Sequence, residues 1–255
     1  MAATWVIGDI HGCAAAMRAL LRRIGLVDAE AVWSGGDATL IFVGDFVDRG
    51  PDGLAVLDDV VRLEREAAAA GGAVAGLLGN HDAMFLGVRV LGAEAMPGLG
   101  QSFLELWVMN GGDPAELRGA RGDQIAFLRS LPVAVLVGDD LVVHADSSFY
   151  LDYGGSLAAV NEAVARVMAG SDPVAWTELL IRFHRRRELS DPDVVDRMLA
   201  AFGGRRIIHG HTPIPFEYGL DPETVSEPRV NGDGRVVNVD GGLFLGSPGV
   251  ALRLG

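Results

Sequence analysis

Acidic and histidine side chains follow three apolar segments of the chain, one segment after another. They stand in the polar sequences GDIHG (8–12), GDFVDRG (44–50) and GNHD (79–82). Asp9 and His11 lie two residues apart, and alternate residues of an extended segment face the same side. A carboxylate and an imidazole on one side suit a divalent transition metal. A turn in which Asp9 accepts backbone N–H groups explains the first motif equally well, but three motifs in order favour a metal site.

Most of the histidines also follow apolar, strand-like runs. A single histidine such as His144, which comes after LVV, is more often a structural residue than a metal ligand. His209 and His211 lie two residues apart with Gly210 between them. Each histidine is a weak indication by itself, and the set is a strong one. The chain has six of them, namely His11, His81, His144, His184, His209 and His211.

Hydrophobic spacing indicates which elements must carry these side chains. A short run rich in Val, Ile or Leu precedes each motif, and helical patterns lie between the runs. The order βαβαβ, then a helical insert at about 83–130, then further strands and helices, predicts an α/β fold. We expect a sandwich of two mixed sheets flanked by helices, with helical inserts as caps and residues 1–255 as a single domain. Helical spacing is found at 14–24, 54–70, 101–109, 123–130, 156–169 and 173–184.

Composition limits the class of partner. The formal net charge of −13 argues against a nucleic-acid partner, which needs clustered Lys and Arg. It is compatible with phosphate-bearing substrates, because metal ions supply local positive charge. Cys13 is the only cysteine, so no internal disulfide can form and a cytoplasmic location is expected. We identify no signal peptide and no apolar run long enough to cross a bilayer, and expect no membrane partner.

The motifs resemble those of the calcineurin-like metallophosphoesterases, and within them the phosphoprotein phosphatase branch. GDIHG, GDFVDRG and GNHD match the first three signatures of that branch nearly letter for letter, and the DRG ending is its narrower mark. The tail 236–252 is similar to the last strand pair of the branch, and WVMNGGD (107–113) is similar to a segment of bacterial members. The resemblance covers nearly the whole chain and implies a metallophosphoesterase-type fold and a metal-dependent hydrolase.

The resemblance also implies a binuclear metal centre. Asp9 and His11 would bind the first metal, and the carboxylate of Asp45 would bridge both. The second metal would be held by Asn80, His144 and His211. His209 is not a ligand in the family, so we expect it either to contact a metal ligand or to have a structural role. Nitrogen and oxygen ligands without a thiolate suit manganese, iron or zinc better than calcium or copper, and the resemblance to bacterial members favours two Mn²⁺ ions.

The roles of three further residues follow from the same resemblance. A hydroxide that bridges the metals would attack phosphorus in line, while Arg49 neutralises the phosphoryl oxygens. His81 would be the general acid for the leaving group, and Asp48 its partner. Because a carboxylate stabilises an imidazolium, we expect His81 to stay protonated nearer to neutral pH. A purely structural Asp48–His81 ion pair is the alternative.

A second phosphate-binding arginine is expected between His144 and His211. The segment LLIRFHRRREL (179–189) offers Arg182, Arg185, Arg186 and Arg187, and we prefer Arg182 because it closes an apolar helical stretch. The rest of the arginine run is most simply a solvated helix face.

The sequence departs from the family after His144. The family has Gly or Ala and then Gly there, whereas this chain has Ala145 followed by Asp146. The carboxylate of Asp146 could add a metal ligand, bond His144, shift the metal preference or point away from the metals.

Two substrate classes share these motifs. The first hypothesis is a serine/threonine protein phosphatase, with phosphotyrosine as a further substrate, acting on phosphorylated proteins or small phosphate esters. The alternative is a symmetrical bis(5'-nucleosyl)-tetraphosphatase that hydrolyses dinucleoside polyphosphates. The segments 83–130 and 146–200 would choose between them, and neither carries a clear signature. A nuclease is disfavoured by the charge, and an inactive binding module is disfavoured because every expected ligand type is present.

Overall fold

Two mixed β-sheets pack against each other in the computed structural model, which describes residues 2–255. The first sheet has the order β3-β2-β1-β9, with β1, β2 and β3 parallel and β9 antiparallel to β1. Its strands are β1 (Thr4–Ile7), β2 (Thr39–Phe42), β3 (Ala73–Gly76) and β9 (Ala251–Leu254). The predicted α/β fold of two mixed sheets flanked by helices is thus confirmed.

The second sheet has the order β4-β5-β6-β8-β7. Strands β5, β6 and β8 are parallel, and the antiparallel β4 and β7 form its edges. Its strands are β4 (Ala134–Val137), β5 (Asp140–Val143), β6 (Arg206–His209), β7 (Arg229–Asn231) and β8 (Val236–Asn238). Each sheet therefore has three adjacent parallel strands whose carboxyl ends lie together.

Strand alternation divides the core into two layers. Val6 and Ile41 belong to a cluster between the sheets with Val142, Ile208 and Val237. Their neighbours in sequence, among them Ile7, Leu40 and Phe42, belong to the larger cluster that includes the helices. Side chains on successive strand residues point to opposite faces, so each of these strands is apolar on both faces.

Ten helices are found within the described residues. Asp172 and Asp191 each cap a helix whose first residue is proline, and Ser102 and Glu105 form a capping box. The helices are α1 (Ala14–Arg23), α2 (Gly53–Ala69), α3 (Asn80–Leu91), α4 (Phe103–Met109), α5 (Pro114–Gly119), α6 (Gly122–Ser130), α7 (Leu157–Ala169), α8 (Pro173–Phe183), α9 (Pro192–Phe202) and α10 (Ile214–Tyr218). Among residues 2–255, no helix is both long and apolar enough to cross a membrane.

The sequence analysis missed α9 and placed the start of the helical insert too late. Helix α3 begins at Asn80, inside the GNHD motif, so this motif is the first turn of a helix rather than only the end of a strand. Whether residues 1–255 form a single domain stays a prediction.

Candidate metal centre and catalytic site

The polar motifs meet where the carboxyl ends of both sheets come together. Asp9 follows β1, Asp45 follows β2, and Asn80 follows β3; from the second sheet, His144 follows β5 and His211 follows β6. All of these residues, together with His11 and His81, are at most 2% exposed. Residues as far apart in sequence as Asp9 and His211 are in contact here, because the backbone N–H of His211 donates to both carboxylate oxygens of Asp9 at 3.1 Å.

Two groups of metal-binding atoms share the carboxylate of Asp45. One consists of His11, Asp45 and His81, the other of Asp45, His144 and His211, and within each group the ligand atoms lie within 4.8 Å of one another. Oδ2 of Asp45 is 3.4 Å from Nε2 of His11 and 3.5 Å from Nε2 of His144. Asp9 lies nearby, with Oδ2 3.9 Å from Nε2 of His11. A carboxylate between two imidazole groups is placed to contact two cations.

The hydrogen bonds of His144 indicate that a cation belongs beside it. Its Nδ1 donates to the carbonyl of Val43 at 2.9 Å, so Nε2 of the neutral ring carries a lone pair. Burial lowers the pKa of His144 to about 3, which keeps the ring neutral. Nε2 nevertheless faces the amide oxygen Oδ1 of Asn80 at 3.0 Å. Two acceptors that face each other fit joint coordination of a metal ion.

The ring nitrogens of His211 also indicate a cation site. Both ring nitrogens are buried and have no hydrogen-bond partner within residues 2–255. An unsatisfied buried polar group costs about 1–3 kcal/mol, which a metal bond to the ring would offset. The donor set of histidine nitrogens, carboxylate oxygens and one amide oxygen suits a divalent transition metal. The residues present therefore fit the two ions that the sequence predicts.

The buried carboxylates around the site also favour cations. Burial, the largest cause, raises the pKa values of Asp45, Asp82 and Asp240 to about 7. It also raises the pKa of Asp9 well above the ordinary value, and the negative charges of Asp240 and Asp45 raise it further. Several buried carboxylates therefore lie close together, where water does not stabilise their negative charges. Bound cations would keep them ionised. Asp240, which follows β8, was not predicted as a site residue from the sequence.

Asp82 holds the second and third motifs together. Its carboxylate accepts the backbone N–H groups of Asp45 (2.9 Å), Phe46 (2.9 Å) and Gly79 (3.0 Å). Asp45 has a positive φ of 53°, and a Cβ at Gly79 would collide with its carboxylate. The loop that carries the carboxylate of Asp45 is thus fixed by the carboxylate of Asp82, a role that the sequence motif GNHD did not indicate.

His81 belongs to a buried chain of hydrogen bonds. Its Nδ1 lies 2.8 Å from Oδ2 of Asp48, and the indole N–H of Trp107 donates to Oδ1 of Asp48 at 2.8 Å. Trp107 lies in the segment WVMNGGD, which gave a family resemblance but no role. Sequence reasoning missed this contact because the two residues are 59 positions apart.

The pKa of His81 is lower than the sequence led us to expect. Burial is the largest cause that lowers the pKa of His81 well below the ordinary value, and the neighbouring His11 and the positive charge of Arg49 lower it further. Burial likewise raises the pKa of Asp48, although the bond from Trp107 opposes this. Loss of hydration therefore outweighs the attraction of the pair, and His81 is not held protonated near neutral pH in the protein alone.

Arg49 is half-buried beside the ligand cluster. Its guanidinium contacts Nε2 of His11 at 3.0 Å and Nε2 of His81 at 2.8 Å, and it stacks over the ring of Phe244 at 4.6 Å. The backbone N–H of Arg49 donates to the carbonyl of Gly111 at 2.9 Å. A cation held in this way beside the ligand cluster can contact an anionic substrate.

Arg186, rather than Arg182, reaches the ligand cluster. The guanidinium of Arg182 lies 2.9 Å from the carboxylate of Asp152. Arg186 instead donates to the carbonyl of His211 and, at 3.2 Å, to the hydroxyl of Thr212. Arg182 as a phosphate ligand stays a prediction, but the contacts favour Arg186.

Asp146 and His209, whose roles the sequence left open, both have defined hydrogen bonds. The carboxylate of Asp146 accepts the backbone N–H of Arg187 at 2.9 Å, which joins the segment after β5 to the arginine run. Nδ1 of His209 donates to the carbonyl of Gly210 at 2.9 Å. His209 is absent from both groups of metal-binding atoms found among residues 2–255.

Known proteins with similar sequences or structures are phosphoester hydrolases by name. Shewanella-like protein phosphatase 2 of Arabidopsis thaliana is 40% identical over 78 residues, which are 31% of this chain and 20% of the relative. A symmetrical bis(5'-nucleosyl)-tetraphosphatase of Neisseria gonorrhoeae is 30% identical over 72% of this chain and 62% of its own length. The chain thus spans less than two thirds of either relative.

A solved structure shows the same fold. The cold-active protein-tyrosine phosphatase of a psychrophilic Shewanella species has a TM-score of 0.73 and 24% identity, over all of this chain and 75% of that one. The model of the calcineurin-like phosphoesterase family matches residues 3–215. The chain therefore belongs to the calcineurin-like phosphoesterase family.

Proposed function

We propose that this phosphoesterase is a phosphomonoesterase of the serine/threonine protein phosphatase type. The arrangement that carries the proposal is Asp45, shared by two groups of metal-binding atoms, with Arg49 and the His81–Asp48 pair beside them. Metal ligands, a cation for the phosphoryl group and a candidate proton donor thus lie in one buried cluster. Phosphorylated proteins or small phosphate esters are the proposed substrates.

The ligand atoms divide between two metals. Asp9 and His11 would hold the first ion, and Asp45 would contact both. When bound, the two ions supply a water nucleophile of lowered pKa and neutralise charge on the phosphoryl group. The second ion would be held by Asn80, His144 and His211. Manganese is the proposed metal, with iron or zinc as the other candidates that suit these ligands.

Arg49 would move from the histidines to the substrate. The guanidinium donates to Nε2 of His11 and of His81 in the structure. While these nitrogens accept from Arg49, Nε2 of His11 cannot bind a metal ion and Nε2 of His81 cannot carry a proton. An anionic phosphoryl group is a stronger acceptor than a neutral imidazole, so it would draw Arg49 away. Nε2 of His81 would then be free for a proton, whereas a metal ion that binds Nε2 of His11 would repel the guanidinium from that nitrogen by itself.

His81 would pass that proton to the leaving oxygen. Its Nδ1 is bonded to Asp48, so the ring is oriented and Nε2 is the nitrogen that faces the substrate. The ring is neutral in the protein alone, and it would take up this proton from solvent once the anionic phosphoryl group lies beside it and Arg49 has moved away, because both changes raise its pKa. Proton transfer matters little for a leaving group that is stable as an anion.

Hydrolysis of two aryl phosphates tests this assignment. With Mn²⁺, Asp45→Asn should lower kcat for p-nitrophenyl phosphate about a hundredfold or more. His81→Ala should lower kcat more for phenyl phosphate, whose leaving group needs the proton, than for p-nitrophenyl phosphate. Asp28→Asn, at an exposed turn, is the control. Full activity of the Asp45 or His81 variant would contradict the assignment.

Hydrolysis of dinucleoside polyphosphates is the second candidate function. The observation in its favour is the similarity to the symmetrical bis(5'-nucleosyl)-tetraphosphatase from Neisseria gonorrhoeae, which extends over 72% of this chain. Side-by-side assays with a phosphothreonine peptide, a phosphotyrosine peptide and diadenosine tetraphosphate decide between the two. A kcat/KM highest for the dinucleotide would replace the protein phosphatase proposal. The absence of nucleic-acid and membrane partners and the cytoplasmic location stay predictions.

A further inference from the structure

The loop between α8 and α9 carries the arginine that touches the ligand cluster. Arg186 donates to the carbonyl of His211 and to the hydroxyl of Thr212, which follow β6. The neighbouring Arg185 turns instead to Asp152, at 3.3 Å. The guanidinium of Arg186 thus lies against the segment that carries His211, one of the residues proposed to bind metal.

This loop is fastened to the segment that follows β5. The carboxylate of Asp146 accepts the backbone N–H of Arg187 at 2.9 Å. The backbone carbonyl of Asp146 accepts the N–H of Glu188, also at 2.9 Å. The carboxylate of Glu188 in turn accepts the hydroxyl and the N–H of Ser148, at 2.6 and 2.8 Å. Leu189 is 4% exposed and anchors the loop in the core.

Asp146 holds a backbone conformation that the loop would otherwise avoid. Arg187 has a φ of 63°, in the left-handed region that non-glycine residues rarely adopt. Asp146 is only 3% exposed, so water does not compete for its bond to the Arg187 N–H. Loss of the bond would let the chain around Arg187 relax and move Arg186, which precedes it.

We propose that Asp146 is a positioning residue that fixes Arg186 for binding the phosphoryl group of the substrate. Asp146 stands two residues after His144, so one short segment would set both a metal ligand and a phosphate ligand. A glycine or alanine at this position has no acceptor for the Arg187 N–H. The inference rests on the proposed phosphomonoesterase function and adds to it the residue that places the second arginine.

Kinetics of Asp146→Ala in the full chain with Mn²⁺ tests the proposal. We expect KM for p-nitrophenyl phosphate and Ki for inorganic phosphate to rise about tenfold, with kcat within about threefold of the unaltered protein. Asp146→Asn keeps an acceptor oxygen and should restore both constants. Asp146→Ser keeps a buried hydroxyl but is too short to reach Arg187, so it should behave like Asp146→Ala and replaces it if the alanine variant does not fold.

A double-mutant cycle separates positioning from a general loss of structure. In Arg186→Ala protein, Asp146→Ala should change Ki no further, because the group that it positions is gone. Asp28→Ala is the matched control, since its carboxylate also accepts backbone N–H groups but at an exposed turn. Unchanged KM and Ki in Asp146→Ala, or effects that multiply in the double variant, would overturn the proposal. An unaltered protein that hydrolyses no phosphomonoester would refute the proposed function instead.

Discussion

At the scale of single residues, the site depends on buried groups that satisfy one another. Asp48 is 1% exposed and Trp107 is fully buried, and the indole N–H donates to the carboxylate that orients His81. A buried tryptophan needs a partner for its N–H, and here that partner belongs to the proposed proton donor. Trp107 thus stabilises the core and shapes the site with the same side chain.

Trp107→Phe removes this donor and keeps most of the buried volume. Because the bond from Trp107 lowers the pKa of Asp48, its loss raises that pKa and weakens the support of His81. We expect kcat for phenyl phosphate to fall about tenfold, which corresponds to about 1.4 kcal/mol in the activation free energy. Trp176→Phe is the control, since this buried indole donates to the carbonyl of Gly170. Equal kcat values for both variants would contradict the role of Trp107.

At the scale of elements, the first turn of α3 organises the loop after β2. Asp82 lies in that turn and accepts three backbone N–H groups, two of them from the loop of Asp45 and Phe46. Its pKa is nevertheless raised to about 7, because burial and the charge of Asp45 outweigh these bonds. The helix and the loop are therefore held together by one carboxylate.

Asp82→Asn tests this link. An amide has one acceptor oxygen in place of two, so at least one buried N–H loses its partner, at a cost of about 1–3 kcal/mol in the free energy of unfolding. Urea denaturation measures this change, and Asp172→Asn, at the exposed cap of α8, should change it by less than about 1 kcal/mol. A loss no larger than that of the cap variant would show that Asp82 is not the link.

The end of β6 approaches β1 closely enough to test a second contact between elements. A Cβ at Gly210 would collide with the carboxylate of Asp9 and with the side chain of Val43. Gly210→Ala should therefore displace Asp9 and weaken Mn²⁺ binding about tenfold or more, measured by calorimetry. Gly155→Ala serves as a control for folding, since a Cβ there has open space and its φ is not in the left-handed region. Undiminished Mn²⁺ affinity in Gly210→Ala would show that Asp9 adjusts without loss.

At the scale of the whole molecule, the packing of the two sheets buries several carboxylates close to one another and away from water. Asp45, Asp82 and Asp240 each have a pKa of about 7, against 3.8 ordinarily. A group whose pKa is raised by folding contributes stability below its unfolded pKa, and that contribution is lost as the pH rises through the folded value. The window is therefore about pH 4 to pH 7, and the contribution of these three carboxylates to stability falls with rising pH across it.

Metal-free Asp240→Asn protein should accordingly lose less stability between pH 5 and pH 8 than the metal-free unaltered protein, because one of these carboxylates is removed. The buried histidines, whose lowered pKa values act in the opposite direction, are the same in both proteins. Mn²⁺ at a hundred times its Kd should restore about 2.7 kcal/mol to the unaltered protein at pH 8, because it binds the folded state. Differential scanning calorimetry with and without Mn²⁺ measures both effects, and the same change of Tm from pH 5 to pH 8 in both metal-free proteins would contradict the inferred repulsion among these carboxylates.

Much of the fold and of the ligand cluster could be predicted, since it depends on local pattern. Apolar runs that end in Gly-Asp or His indicate strand ends, and parallel strands place those ends at one edge. The approximate bounds of α1, α2 and α8 followed from helical spacing and from Gly or Pro at their ends. Helix α9 was missed even though its Asp191 cap and Pro192 are helix-start signals.

The sequence by itself determined which side chains are present at the strand ends, and so the proposal of metal-dependent chemistry. Only the tertiary structure decided which arginine reaches the cluster, which carboxylate fixes the loop of Asp45 and which indole bonds Asp48. These contacts join residues 25 to 59 positions apart, and no local spacing encodes them. The protonation of His81 was likewise decided by the fold, because burial is a property of packing and here it outweighs the nearby carboxylate.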